Sequence, residues 1–139
     1  MNYISKSLVR EICDEAGFRT TITESRAICM ILAADEDYGH DVWVVFEVDE
    51  KTNRLRVVAY GGINVKQTKL ADAISRVNKY NKETSLMKAY IDNDGDVVIE
   101  RWEIIDEEVS EDFVLNNMIK LCPPLIWSFF KDYFADFND

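Results

Sequence analysis

Two runs of strand-forming residues, Leu86 to Ile91 and Val97 to Ile105, are separated only by Asp92-Asn93-Asp94-Gly95-Asp96. Asp-Gly between two such runs specifies a β-hairpin, because the tight turn needs positive φ and glycine supplies it. The rest of the chain has to be compatible with an antiparallel ladder placed here. Upstream, Ala27 to Ala34 (AICMILAA) and Val42 to Val48 (VWVVFEV) are apolar at nearly every position. Runs of that length between turns read as strands buried on both faces. Phe18 to Glu24 reads as a further strand and Arg54 to Tyr60 alternates as a fourth, with Ser25-Arg26 and Asp49 to Asn53 as polar turns.

Helical spacing appears three times. Leu8, Val9, Ile12 and Ala16 recur between a Ser5 N-cap and a Gly17 stop. Gly61-Gly62 releases the chain into a second helix, capped by Asn64 with Gln67 reaching back, its buried stripe Leu70, Ala73, Ile74 and Val77, its end near Asn81. Ser110 caps a third helical region with Glu111 and Asp112 in its first turn, where the helix dipole favours acids. Pro123-Pro124 predicts a break near Cys122, with a last helix from about Pro124 to Phe137. The order α-β-β-β-β-α-β-β-α makes this an α+β chain, a mostly antiparallel sheet with helices packed against it, and one domain over residues 1–139.

Chemistry-bearing constellations are scarce. His40 is the single histidine, and it lies in the acidic loop Asp35 to Asp41, which reads as a solvated connection with at most a weak site for a hard cation. Aligning Gly95 with the sixth position of a calcium loop puts Tyr90 first and Arg101 twelfth, so the required carboxylates are missing. Gly61-Gly62 is neither a dinucleotide fingerprint nor a P-loop, and no nucleophile has an evident base. No catalytic, cofactor or metal residues are assigned, and the expectation is a protein that is not an enzyme. Cys13, Cys29 and Cys122, an odd number at unrelated spacings, read as buried thiols in a reducing compartment, the cytoplasm.

Acids outnumber bases 26 to 16, a net charge of −10, which argues against a nucleic-acid coat. The charge is polarised: residues 51–88 hold nine bases and two acids, residues 89–112 ten acids and one base. No uninterrupted apolar run of membrane length occurs and the first residues are unlike a secretory signal, so no membrane association is expected. Seven of the 16 aromatics fall in the last 27 residues, more than one narrow core-facing stripe requires. With strands apolar on both faces, this excess points either to the core alone or to an additional buried contact. The candidate protein-interface residues are Trp127, Phe130, Tyr133, Phe134 and Phe137.

The sequence Asn78 and Asn81, Leu86-Met87-Lys88-Ala89-Tyr90-Ile91, Asp94-Gly95, Val97-Val98-Ile99-Glu100, an acidic connector and a long apolar helix after Ser110 resembles the YbjN-domain family of bacterial sensory transduction regulators. The order of elements matches over about residues 5 to 137, with Val109 and the Pro123-Pro124 interruption as departures. The resemblance implies a fold similar to type III secretion chaperones, a cytoplasmic bacterial protein without catalysis, and a homodimer that binds protein clients. It carries no ligand residues and no cofactor. An alternative, drawn from the acidic pole around Asp92 to Asp112, is an immunity or inhibitor protein that blocks a basic toxin or nuclease.

Overall fold

A computed structural model describes residues 3–138. Helix α1 (Lys6–Glu15) leads into β1 (Thr21–Ile22), β2 (Ile28–Leu32), β3 (Val42–Asp49) and β4 (Arg54–Asn64). A short 3-10 turn, Gln67–Lys69, precedes α2 (Leu70–Glu83), followed by β5 (Lys88–Ile91) and β6 (Asp96–Ile104). The chain closes with α3 (Glu111–Phe113), a π turn over Val114–Ile119, and α4 (Cys122–Phe134). All strands pair antiparallel in one open sheet of order β1-β2-β3-β4-β6-β5, so the α+β reading holds.

Local chemistry explains several boundaries. The Ser5 hydroxyl accepts from the Leu8 N–H at 3.1 Å, and Gly17, at φ 82°, ends α1 with Phe18 N–H bonded to the Cys13 carbonyl and Gly17 N–H to Asp14. That closure, with the Thr23 to Ala27 turn (Thr23 N–H to the Ala27 carbonyl, Ala27 N–H to Thr23 Oγ1), leaves only Thr21–Ile22 of the expected Phe18 to Glu24 strand to pair. Ser110 caps α3 as expected, through the Phe113 N–H.

Gly61-Gly62 does not lead into a helix. Both glycines lie inside β4, where the register against β6 shifts between Tyr60 and Asn64 and Gly62 takes φ 77°, the mark of a bulge. A Cβ on Gly61 would stand 2.4 Å from the Phe130 ring, so the bulge is where α4 lies directly on backbone. Asn64 is not a helix cap. Its amide donates to the Asp94 carbonyl and to Asp96, fastening the end of β4 to the hairpin turn. Asn81 does not end its helix either: within α2, it donates to the Ala89 carbonyl and accepts from the Ala89 N–H, at 2.9 and 3.0 Å. The buried stripe of α2 runs Ala73, Val77 and Tyr80, while Ile74 is 44% exposed.

The prolines have a different outcome from a clean break at Cys122. They occupy the first turn of α4, where a missing N–H is tolerated. The irregularity lies upstream in the π turn, whose wider pattern is seen in the Lys120 N–H bonded to the Leu115 carbonyl. Proline supplies no N–H for the carbonyls four residues back, which favours a loosened helix there. Read through this turn, Glu111–Phe134 is a 24-residue helix long and apolar enough to cross a membrane by length and composition, which the separate apolar runs did not suggest. In this fold Val114, Met118, Cys122, Ile126, Phe129, Phe130 and Phe134 on it are buried core.

The helices cover a single face of the sheet. On that inner face Ile28, Val42, Val44, Phe46, Leu55, Val57, Ala59, Val97 and Ile99 are buried against them. The expectation that β2 and β3 are buried on both faces holds only in part: Cys29 on the opposite face is 1% exposed, but Ile31 and Trp43, paired there, are each 46% exposed.

Candidate functional site

The outer face of the sheet is assembled by register. Opposite the helices stand Ile31 of β2, Trp43, Val45 and Glu47 of β3, Arg54, Arg56, Val58 and Tyr60 of β4, Glu100, Trp102 and Ile104 of β6, and Lys88 and Tyr90 of β5. Four of these are large apolar side chains open to solvent, with Trp102 at 47% and Ile104 at 59% exposure alongside Ile31 and Trp43. An open aromatic and aliphatic face on an antiparallel sheet is the pattern of an interaction surface.

A polar cluster crosses the middle of this face. Arg56 Nε donates to Glu100 at 2.5 Å, one terminal nitrogen reaches both Glu47 oxygens at 3.2 Å, and the other donates to the Tyr90 hydroxyl at 3.0 Å. Lys88 approaches the second Glu100 oxygen at 3.2 Å. Burial disfavours the Arg56 charge, but the hydrogen bond to Glu100 and the charge of Glu47 outweigh it and raise the guanidinium pKa further. The same balance runs on Glu100, which is 4% exposed: desolvation pushes its pKa up, and the bonds from Arg56 and Lys88 pull it below the ordinary carboxylate range. The Arg56 and Arg54 guanidinium carbons lie 5.4 and 6.0 Å from the Trp102 ring centre. The cluster is thus internally satisfied, and its charges help to hold the exposed tryptophan in place.

The aromatic candidates of the last helix are distributed differently. Phe130 and Phe134 are buried, and Phe137 is 8% exposed. Arg76 pins this end of the chain, bonding Asp72, Asp136 and the Tyr133 carbonyl and lying over the Phe134 and Phe137 rings. Trp127 is half-buried over an apolar groove with Phe18, Leu32, Pro123 and Pro124. Tyr133 is half-buried on the other side of α4, its hydroxyl donating to Glu83, which pushes its pKa up to about 12. The five are therefore not one surface patch. The exposed apolar residues lie instead on the outer face as two pairs: Ile31 and Trp43, in strands read as buried on both faces, and Trp102 and Ile104, in the second hairpin strand four and six residues beyond Val98, which shares the row of Trp43. Trp43 alternates with the core residues Val42 and Val44, a signal the sequence carried, whereas Trp102 stands between Arg101 and Glu103 and gave none.

The acidic loops are held by their own backbones. Asp35 accepts from the Asp37 and Tyr38 N–H groups and Asp41 from Ala34, while Tyr38, buried between them, donates its hydroxyl to the Gly61 carbonyl. Asp92, Asp94 and Asp96 gather carboxylate oxygens within 4.8 Å. Asp92 already accepts there from the Asp94 and Asp96 N–H groups, and Asp96 from Asn64, as the turn geometry requires. The three thiols are buried and unpaired, with burial raising Cys13 to about 12 and Cys122 to about 11.

A family model described as "YbjN: putative bacterial sensory transduction regulator" matches residues 5–116, more than half of the chain. The chain belongs to the YbjN family. The match spans the whole sheet with α1 and α2, including the hairpin and the Asn81 clasp, and stops within the π turn. A search of curated proteins finds no match. Membership in YbjN supports a regulatory, protein-binding role at the level of the family.

Proposed function

We propose that this YbjN chain is a non-enzymatic regulatory module that binds protein, acts in the cytoplasm, and works as a homodimer formed by packing the outer sheet faces of two copies. The observation that carries the reading is the set Ile31, Trp43, Trp102 and Ile104, all solvent-exposed on one face. Charge favours a second copy as the occupant. The chain carries −10 overall, yet away from the hairpin turn this face sets Arg54, Arg56 and Lys88 against Glu47, Asp49 and Glu100. Two copies approaching through a neutral face avoid the repulsion that two acidic surfaces of this chain would meet. Twisted antiparallel sheets pack face to face at about 10 Å, with apolar side chains interdigitating. A chaperone-like handling of extended clients, in the manner of type III secretion chaperones, is the finer form of the same reading. The buried, unpaired thiols accord with a reducing compartment.

Light scattering on a size-exclusion column tests the dimer. Wild type is expected near twice 16.1 kDa, with the dimer retained or tightened at high salt, which screens the net repulsion. Trp43→Lys is expected to elute as a folded monomer with an unchanged circular dichroism spectrum. A wild type that stays monomeric at every concentration overturns the second copy as occupant and assigns the face to a different protein. A Trp43→Lys variant that stays dimeric moves the dimer contact elsewhere.

A further inference from the structure

The edge of β6 is covered over only part of its length. β5 begins at Lys88 opposite Glu100, and before it the chain turns inward, with Met87 5% exposed. Among the described residues, Arg101 to Ile104 have no strand on that side. The ladder shows which backbone groups this leaves open. The Asp92 N–H bonds the Asp96 carbonyl at 3.0 Å, so even-numbered residues of β6 direct N–H and C=O towards β5 and odd-numbered ones towards β4. Two further bonds agree: Ala89 turns its N–H and C=O away from β6 to Asn81, and Ile105 N–H bonds Asn53 on the β4 side. Trp102 and Ile104 therefore present N–H and C=O to the uncovered side. Space flanks them in a cavity of about 450 Å³ lined by Arg54, Trp102, Glu103 and Ile104, and another of about 420 Å³ between residues 85–88 and 100–103.

We propose that this edge accepts an extended segment of a protein partner as an added strand, with a basic residue opposite Glu103 and apolar residues beside Trp102 and Ile104. The inference rests on the protein-binding reading above, though not on the dimer. Strand addition draws affinity from main-chain hydrogen bonds and specificity from alternate side chains. Here Trp102 and Ile104 offer apolar cross-strand partners on the outer face, and Glu103 points to the other. In the register that spans both open residues, a second copy is disfavoured at this edge. A two-fold pairing of Trp102 with Ile104 of another copy sets Glu103 directly against its own equivalent, at the close non-hydrogen-bonded position. Glu103, whose ion pair with Arg101 of its own strand is long at 3.7 Å, thus opposes that register while matching a cation on an added strand.

The probe is a fluorescein-labelled Thr-Val-Lys-Val-Thr peptide, read by anisotropy at moderate salt, beside its Thr-Val-Glu-Val-Thr counterpart. The lysine peptide is expected to bind about fivefold or more tightly than the glutamate one, and Glu103→Lys to reverse that order. N-methylation of the lysine peptide's backbone on its pairing side is expected to abolish binding. Ile104→Pro removes an N–H that no strand of this chain uses, so it is expected to fold, since proline is tolerated at such an edge position, and to lose binding about tenfold. Should that variant not fold, the N-methyl peptide still decides the matter. Equal affinity for the two peptides, binding that survives N-methylation, or no binding by either overturns the proposal. None of these outcomes alters the light-scattering mass, so they separate from a failure of the homodimer.

Discussion

Arg56 binds one residue on each of three strands, Glu47 on β3, Glu100 on β6 and Tyr90 on β5, and it shares with Lys88 the compensation of the buried Glu100 charge. An acid at 4% exposure is tolerated only when its charge is compensated. Arg56→Met is therefore expected to destabilise the fold by about 3 kcal/mol, because Glu100 keeps only the exposed Lys88. The pH dependence has a definite sign. Glu100 has a folded pKa below its ordinary 4.5, so its contribution is present above the unfolded value and is lost as pH falls through the folded one. The gap between wild type and Arg56→Met, measured by urea denaturation, is then expected to narrow as pH falls from neutral to about 3. A gap of constant size across that range would place the energetic role of Arg56 in its contact with Trp102 instead of its charge.

At the scale of elements, β4 and α4 are joined where Gly61 meets the Phe130 ring. Any Cβ at position 61 would lie within 2.4 to 2.8 Å of three ring carbons, and Phe130 is fully buried with Phe129 and Tyr38 packed on it. Gly61→Ala is expected to cost about 2 kcal/mol through forced displacement of that ring. Adding Phe130→Leu should recover part of the loss, so that a double-mutant cycle in urea shows strong coupling; additive effects would mean that the bulge, not the ring, demands glycine. This junction also marks what a sequence can disclose. Ser5, Gly17, Ser110 and Asp94-Gly95 act on backbone groups within a few residues, and caps and turns were legible for that reason. Gly61-Gly62, Asn64 and Asn81 looked like local punctuation but serve partners outside their own turn or helix: Phe130, Asp94 and, in the next strand, Ala89. The open face was half legible. Apolar runs announce burial on both sides of a strand without saying whether the second cover is supplied by the same chain.

At the scale of the molecule, the two aromatic populations should respond in opposite ways to charge. Phe134 is 1% exposed within the core, so Phe134→Glu is expected to abolish cooperative unfolding, because the carboxylate would be desolvated where the neighbouring Arg76 is already engaged by Asp72 and Asp136. Trp43 and Trp102 lie on the outer face at 46% and 47% exposure, and their environment should change only when two molecules meet. Replacing Trp127 by Phe leaves those two as the sole tryptophans of the chain. In that variant the emission maximum is expected to shift to the red on dilution, as the faces part and water reaches both indoles, while the circular dichroism spectrum stays constant. Acrylamide quenching should rise over the same concentration range. Emission that is independent of concentration, in a protein that light scattering shows to be dimeric, would put the dimer contact away from this face and leave Trp43 and Trp102 free for a different partner.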